Sequence, residues 1–253
     1  MRCFVRSLVV MTLLFPMSAT PGMAGGYSDP AGFSLTYPDG WVAITDANMK
    51  ETFDAFPPGV QTWIRNNRFD MSAIKVILLR DGDPEGFLEN VNVVVGDGEI
   101  ELNEKTVDEL RRIVPQKFFE AGMKADNLRI RLEQRGGRPM VVSDYRLVLP
   151  GELDVDGAVQ QRQFQVPGGG KTFTITCTAQ PDTFATWEPV FEEIGAGFQP
   201  PPSQPRGVSI RQVAQSSAVW GVVGALVGGL VGGAISIFRK KPKPPSPPPL
   251  PSV

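Results

Sequence analysis

The chain has 253 residues, a formal net charge of −2, two cysteines and no histidine. The lack of histidine removes the commonest general base and the commonest metal ligand, and it excludes every Ser-His or Cys-His nucleophile pair. No basic excess is present to neutralise a phosphate backbone, which disfavours nucleic acid as a partner. We therefore expect a protein that is no enzyme and that needs no cofactor.

The N-terminal residues have the pattern of a secretory signal. Arg2 and Arg6 precede an apolar stretch at residues 7–15, and small residues follow. The stretch is too short to span a bilayer, and Gly22 and Ala24 suit positions −3 and −1 of a cleavage site. The sequence predicts cleavage after Ala24, with an uncleaved second anchor as the alternative.

A second apolar run lies near the C-terminus. Residues 218–238 contain no charge, and Arg239, Lys240, Lys241 and Lys243 follow at once. About 20 apolar helical residues cross a hydrocarbon core, and basic flanks stay in the cytoplasm. We expect a single-pass protein of a cell membrane, with the large N-terminal domain outside the cytoplasm and the C-terminal tail inside it.

These signals divide the chain into five segments. They are a signal peptide (1–24), an extracytoplasmic domain (25–199), a Pro-rich linker (200–215), a transmembrane helix (216–238) and a basic Pro-rich cytoplasmic tail (239–253). Setting aside the two arginines of the signal and the four basic residues of the tail leaves 19 basic and 27 acidic residues, a net charge of −8. The linker prolines favour an extended, semi-rigid stalk that holds the domain off the bilayer.

Small residues recur at every fourth position of the predicted span, in two series that merge into one helix face. Small residues allow two helix backbones to approach closely in lipid. The face consists of Gly221, Gly224, Ala225, Gly228, Gly229, Gly232, Gly233 and Ser236. We favour an interface over a span that is merely rich in glycine, so that the protein forms a homo-oligomer or pairs with another membrane helix.

The proline-rich tail cannot form a core and is expected to sample polyproline II. One interpretation is a ligand for an aromatic groove of a cytoplasmic protein partner. The other is a disordered stop-transfer tail in contact with anionic lipid.

The first half of the domain is predicted as short strands and broken helices. Residues 33–37 alternate as a strand, and a Pro-Asp-Gly turn leads from them to Trp41, predicting an opening β-hairpin. Residues 49–69 have helical character, interrupted where Pro57 begins a Pro-Pro-Gly run. Two buried strands are predicted at residues 72–80 and 87–95.

A helix is predicted to begin at Thr106, which forms a capping box with Glu109, and to kink at Pro115. Four strands follow as an antiparallel meander, at residues 128–134, 139–149, 158–166 and 172–179. A last helix at 182–194 carries an apolar face and is predicted to stop at Gly195. The face consists of Phe184, Trp187, Phe191 and Ile194. The pattern predicts an α+β fold in which helices flank an antiparallel sheet.

Three features suggest chemistry but have a structural interpretation. Cys177 lies on the apolar face of an alternating strand, which favours packing over reactivity. The Gly-Gly-Gly-Lys-Thr run that begins at Gly168 lacks the first glycine of a P-loop and predicts a hairpin turn. Two acidic clusters favour solvated loops over a calcium site; they contain Asp81, Asp83 and Glu85, and Glu152, Asp154 and Asp156.

The opening run from Gly32 to Trp41 resembles the Gly-Phe, Tyr-Pro and Gly-Trp positions that begin PsbP-like and Mog-type domains. The closing strand at residues 173–179 and the apolar residues that follow it are similar to the last strand and helix of that family. The resemblance covers residues 27–199 and implies an α-β-α sandwich that serves as a non-catalytic binding or assembly module. It transfers no functional residue, because the matching positions are core and turn residues.

From the sequence we thus expect a membrane-anchored extracytoplasmic module that binds or organises an envelope protein. Two alternatives stay open. One is an envelope enzyme or metal-dependent hydrolase that uses the acidic loops, and the other is a purely structural membrane scaffold.

Overall fold

The computed structural model describes residues 23–45, 73–80, 89–148 and 158–203. The elements in these ranges, numbered in chain order, are β1 (Met23–Ser28), β2 (Ser34–Pro38), β3 (Trp41–Thr45), β4 (Ile74–Arg80), β5 (Asn90–Asp97), α1 (Glu104–Glu120), β6 (Lys124–Arg135), β7 (Arg138–Val148), β8 (Ala158–Gly168), β9 (Lys171–Ala179) and α2 (Phe184–Gly197). No helix within these ranges is long and apolar enough to cross a membrane. The predicted transmembrane helix, the tail, almost all of the predicted signal and the broken helices at 49–69 lie outside them.

Seven strands form one antiparallel sheet in the order β3-β4-β5-β9-β8-β7-β6. Strands β6 to β9 pair with their chain neighbours, which confirms the predicted meander. Strand β5 closes the sheet by pairing with β9, from Asn90 opposite Thr178 to Asp97 opposite Lys171. Strand β9 is therefore central, and its apolar side chains lie in the main core.

The two helices of the described ranges cover opposite faces of the sheet. On β7, Met140 and Val142 belong to the core beneath α2, whereas Val141 packs with Leu110 and Ile113 of α1. Successive side chains of a strand point to opposite faces, so the alternation separates two apolar layers. The described residues confirm an α+β fold in which helices flank an antiparallel sheet. The predicted apolar face of α2 is confirmed as well.

The predicted opening hairpin is wrong, because β2 pairs with β1 in a separate two-stranded sheet. Strand β3 instead pairs with β4, with Trp41 opposite Arg80. Gly40, at φ +74°, turns the chain out of β2. Trp41 is then buried in the main core, where its ring meets the Trp187 ring edge-on at 6.0 Å. The predicted strand at residues 33–37 is thus present as β2, but the chain after the turn joins the other sheet.

The predicted start of α1 and the predicted end of α2 also need correction. Helix α1 begins at Glu104, and its cap is Asn103, whose side-chain oxygen accepts the backbone N–H of Thr106 at 2.9 Å. Asparagine is among the preferred N-cap residues, so it caps the helix before Thr106 can. Helix α2 continues through Gly195 to Gly197. Helix α1 runs through Pro115, and the kink predicted there stays a prediction.

Candidate functional site

The sequence-predicted functional residues lie outside the described ranges. These are the small-residue face from Gly221 to Ser236, the basic residues 239–243 and the six carboxylates of the two acidic clusters. Each of these assignments therefore remains a prediction. Within the described ranges, no group of three or more His, Cys, Asp or Glu side chains is placed to hold a metal ion.

The described strands that border the two acidic clusters in sequence have these ends at one end of the sheet. Residues 81–88 connect β4 to β5, and residues 149–157 connect β7 to β8. Thr178, near the end of β9, lies opposite Asn90 of β5 on one side and opposite Gln161 of β8 on the other. Strands β5 and β8 are two strand spacings apart, or about 10 Å. We call this end, which also holds the start of α2, the loop end.

The chain leaves the domain at the opposite end of the sheet. Ser34 and Gln199 exchange two backbone hydrogen bonds, of 3.0 and 2.8 Å. The N–H of Gly169, in the turn between β8 and β9, donates to the carbonyl of Pro202 at 2.9 Å. The predicted linker thus begins in contact with the domain. We call this end the exit end.

Gly32 and Gly169 leave space for Pro201 at the exit end. A Cβ on Gly169 would lie 2.8 Å from Cγ of Pro201, and a Cβ on Gly32 would lie 3.3 Å from its Cβ. Gly169 also has φ +60°, a backbone conformation that other residues adopt with strain. The glycine run that resembled part of a P-loop is therefore a hairpin turn, as predicted. It contacts residues 199–203, which we call the exit segment.

Three aromatic rings lie beneath the exit segment. The ring of Phe33 lies 5.5 Å from that of Phe173 and stacks on that of Phe198 at 5.3 Å, and Phe173 and Phe198 are 5.5 Å apart. All three side chains are buried. Because Phe198 directly precedes the exit segment, the packed rings fix where that segment starts.

A closed ring of alternating charges joins α2 to strands β6, β7 and β8. Arg162 contacts Asp144 at 2.6 Å and also pairs with Glu192, which Arg135 contacts at 2.8 Å. The remaining pairs link Arg135 to Glu133, Glu133 to Arg131 and Arg131 to Asp144. Three arginines and three carboxylates thus form one circuit. Glu188, at 2.9 Å from Arg162, adds one further negative charge.

Arg162 is the centre of this network, with a side chain only 9% exposed. Burial alone would lower the pKa of its guanidinium. The hydrogen bond and the charge of Asp144, with the charges of Glu192 and Glu188, outweigh burial and raise that pKa. Arg162 therefore stays charged, and its role is to hold α2 on the sheet. In the sequence these residues are ordinary charges of three strands and one helix, and their convergence depends on strand register and on the position of α2.

A second cluster fastens the start of α2 at the loop end. Arg80 contacts buried Glu89 at 2.6 Å and lies over the Trp187 ring at 5.1 Å. The hydroxyl of Thr183 donates to Glu89 at 3.3 Å. The base of the first acidic loop is thus closed by an ion pair that also contacts α2.

The central strands carry a buried layer of uncharged polar side chains on the face opposite α2. The amide of Gln161 donates to Thr178 at 2.9 Å, and that of Gln163 donates to Thr176 at 3.0 Å. All four side chains are buried. The sequence shows that the threonines alternate along the strand, but it does not show that they are completely buried. Such pairs favour one strand register over its neighbours, because a slip would separate amide from hydroxyl.

Cys177 occupies the apolar face of the same strand, as predicted. Burial raises the pKa of its thiol, and the charge of Arg162 lowers it by less. Burial also raises the pKa of Tyr145, which the charge of Asp144 raises further. The raised pKa values disfavour ionisation of the Cys177 thiol and of the Tyr145 phenol. This agrees with a packing role for Cys177.

No protein-family profile matches the sequence, and no curated protein matches it. The chain is similar to the solution structure of cyanobacterial PsbP (CyanoP) from Synechocystis sp. PCC 6803, at 16% identity and a TM-score of 0.46, over 72% of this chain and 95% of that one. It is also similar to a crystal structure from Bacteroides thetaiotaomicron, at 12% identity and a TM-score of 0.41, over 75% and 51% of the two chains. LpqN, involved in cell envelope biogenesis of Mycobacterium tuberculosis, matches at 13% identity and a TM-score of 0.37, over 73% and 88%. These similarities concern the fold, and we draw no function from them.

Proposed function

We propose that this protein is a membrane-anchored extracytoplasmic module that binds or helps to assemble an envelope protein and performs no catalysis. A cleaved signal, a single span and a basic cytoplasmic tail are the parts of the proposal that come from sequence. The small-residue face would bring two such spans together, in a homo-oligomer or with another membrane protein.

The observation that carries the proposal is the fixed exit segment. Pro201 packs against Gly32 and Gly169, and the Pro202 carbonyl accepts a backbone hydrogen bond. A freely jointed linker would let the domain tumble, whereas a docked one makes the chain leave from a defined end. That arrangement suits a module that presents its other end to a partner.

Cell fractionation and protease shaving test the tether. The full chain, with an epitope tag after Val253, is compared with a chain that ends at residue 215. We expect the full chain in the membrane fraction, with its domain digested in spheroplasts and its tag protected. The shorter chain should appear in the soluble extracytoplasmic fraction. A shorter chain that stays with the membrane, or a domain protected in spheroplasts, would contradict the proposal.

A calcium-dependent activity is the second candidate, because both acidic loops start from the same end of the sheet. Calcium prefers carboxylate and carbonyl oxygens. Titration with calcium, followed by calorimetry and by thermal melting, should separate the two candidates. Binding that is lost in the Asp81→Ala and Asp83→Ala double variant would favour the second. Equal melting with and without calcium would favour the first.

A further inference from the structure

Strand β6 is one of the two edges of the seven-stranded sheet. It runs over 12 residues, from Lys124 to Arg135, and pairs with β7 on one side. No other strand of the described ranges pairs with it. The free side of an edge strand offers backbone N–H and C=O groups to a strand of another chain. Because strands usually have only about 5–6 residues, an edge of this length needs protection from pairing.

The first half of this edge is irregular. Asn127 has φ +56°, and the register with β7 shifts between Asp126 and Arg129. Such an irregularity bends a strand and disturbs the row of backbone groups that a second strand would meet. Addition of a strand is therefore disfavoured in the part of β6 that precedes Arg129.

The second half of β6, from Arg129 to Arg135, pairs regularly with β7. Its charges give little protection, because Arg131, Glu133 and Arg135 belong to the charge circuit and each already contacts an opposite charge. A second copy of this stretch would match it. With Leu132 on a two-fold axis, Arg131 of one chain would lie opposite Glu133 of the other, a favourable cross-strand pair. Arg129 would lie opposite Arg135, whose charge two carboxylates neutralise.

Arg111, on α1, contacts the backbone of this regular half. Its Nε donates to the carbonyl of Ile130 at 3.1 Å, and its Nη2 donates to the same oxygen at 2.7 Å. Its Nη1 donates to Asp108 at 2.9 Å, which fixes the plane of the guanidinium. A carbonyl oxygen has two lone pairs, and here one guanidinium uses both. Alternate residues of an edge strand direct their backbone groups away from the paired strand, and Ile130 belongs to that set because its carbonyl accepts from α1.

We infer that Arg111 keeps the free edge of β6 from pairing with the β6 of a second copy. In the two-fold pair, the backbone N–H of Gln134 in one chain would donate to the Ile130 carbonyl of the other, and Arg111 occupies that place. The inference concerns the described sheet alone and does not rest on the proposed function. If the predicted spans bring two copies together, this contact keeps their domains separate.

Cysteine crosslinking of the purified full chain in detergent tests this. Gln134→Cys is introduced into a Cys3→Ser chain, because position 134 is exposed and the remaining thiol, Cys177, is buried. In the two-fold pair the two 134 positions are four residues apart along the strands, or about 14 Å, and a bismaleimide of that length joins them. The yield of crosslinked dimer is compared with Arg111 intact, with Arg111→Ala and with Arg112→Ala. Arg112→Ala is the matched control, because Arg112 pairs with Glu109 of the same helix.

We expect the yield to rise at least about tenfold with Arg111→Ala, because loss of a charged donor frees the Ile130 carbonyl. Arg112→Ala should leave the yield unchanged. Arg111→Met, which keeps the apolar stem but donates no hydrogen bond, should raise the yield as Arg111→Ala does. Lys124→Cys, at an exposed position in the irregular half, should give no comparable product with Arg111→Ala.

Equal yields from the Arg111→Ala and Arg112→Ala chains would overturn the inference, as would an equally high yield with Arg111 intact. A product as abundant from position 124 as from position 134 would show that two copies associate through another surface, such as the predicted span, and would also overturn it. Thermal melting of each variant identifies a loss of folding. If Arg111→Ala fails to fold, Arg111→Met decides, and no rise in its yield would contradict the role of Arg111.

Discussion

Gly195 lies so close to Phe164 that a side chain cannot fit between them. A Cβ on Gly195 would lie 2.7 Å from Cε2 and 2.8 Å from Cζ of the buried Phe164 ring. The ring belongs to β8, at the centre of the core beneath α2. The glycine in the last turn of α2 is therefore present for close packing and does not end the helix.

Gly195→Ala should reduce the free energy of unfolding, because overpacking costs about 1–3 kcal/mol. Alanine stabilises a helix interior by up to about 1 kcal/mol relative to glycine, so we expect a net loss of up to about 2 kcal/mol. Gly197→Ala is the matched control, because its Cβ would meet only the Thr36 hydroxyl, at 3.2 Å. Urea unfolding measures the free energy of unfolding of both variants. A Gly195→Ala chain as stable as the control would show that the helix shifts without cost.

Gly169→Ala should release the exit segment. Gly137 is a suitable control, because its φ of +75° resembles the +60° of Gly169, yet nothing lies within 4 Å of its Cβ position. Both alanine variants have the same kind of backbone strain, but only in Gly169→Ala does the new Cβ also clash with Pro201. We expect faster exchange of the amides at positions 169 and 199 in that variant alone. Equal exchange in the two variants would show that Pro201 does not depend on the glycine.

Arg162→Met should destabilise the domain by about 3 kcal/mol. This is the lower end of the cost of breaking a buried ion pair, because Asp144 and Glu192 each keep one arginine. Glu188→Gln should cost less than about 1 kcal/mol, since its side chain is 44% exposed. Chemical unfolding of both variants checks the difference. Equal losses would mean that Arg162 contributes no more than a surface pair.

Alkaline pH should destabilise the domain through Cys177. The unfolded thiol releases its proton near pH 8.5, whereas burial raises the native pKa, so the native state keeps the proton. The unfolded state then binds fewer protons, and stability falls by about 1.4 kcal/mol per pH unit above that pH. Tyr145, whose native pKa is also raised, should add a similar slope above about pH 10.

Unfolding free energies at pH 7 to 9.5 measure this slope, and Cys177→Ala should remove most of it below the range in which tyrosines titrate. In a Cys3→Ser chain, which keeps one thiol, Ellman's reagent should react at pH 8 only after denaturation. Rapid reaction of the native chain would contradict the packing role of Cys177.

Sequence patterns within a short stretch of chain predicted the elements that such a stretch defines by itself. The alternation in β9 and the apolar spacing of α2 around Phe191 were enough to define both elements. The predicted helix start was wrong where a second capping residue lay nearby. Asn103 caps α1 in place of Thr106. Strand β6 starts four residues before its predicted start, because Asn127, at φ +56°, lies in an irregular stretch that the pattern does not show.

Features that need two distant segments were not predictable in the same way. The charge circuit requires Arg135 and Glu192 to meet, and β3 pairs with the distant strand β4 instead of with its chain neighbour β2. The linker was expected to be a semi-rigid stalk that holds the domain off the bilayer, because its prolines give no sign of Gly32 and Gly169, against which Pro201 packs. Each of these depends on strand order, which periodicity does not contain.

The pairing of β5 with β9 also determines when the domain can be completed. Asn90 has no partner in β9 until Thr178 has been made, and α2 and the exit segment come later still. Contacts so far apart in sequence raise the contact order and slow folding. Strands β4 and β5, rich in valine, isoleucine and leucine, therefore stay exposed while the second half of the chain is synthesised. We expect the nascent chain to depend on a chaperone holdase until β9 emerges.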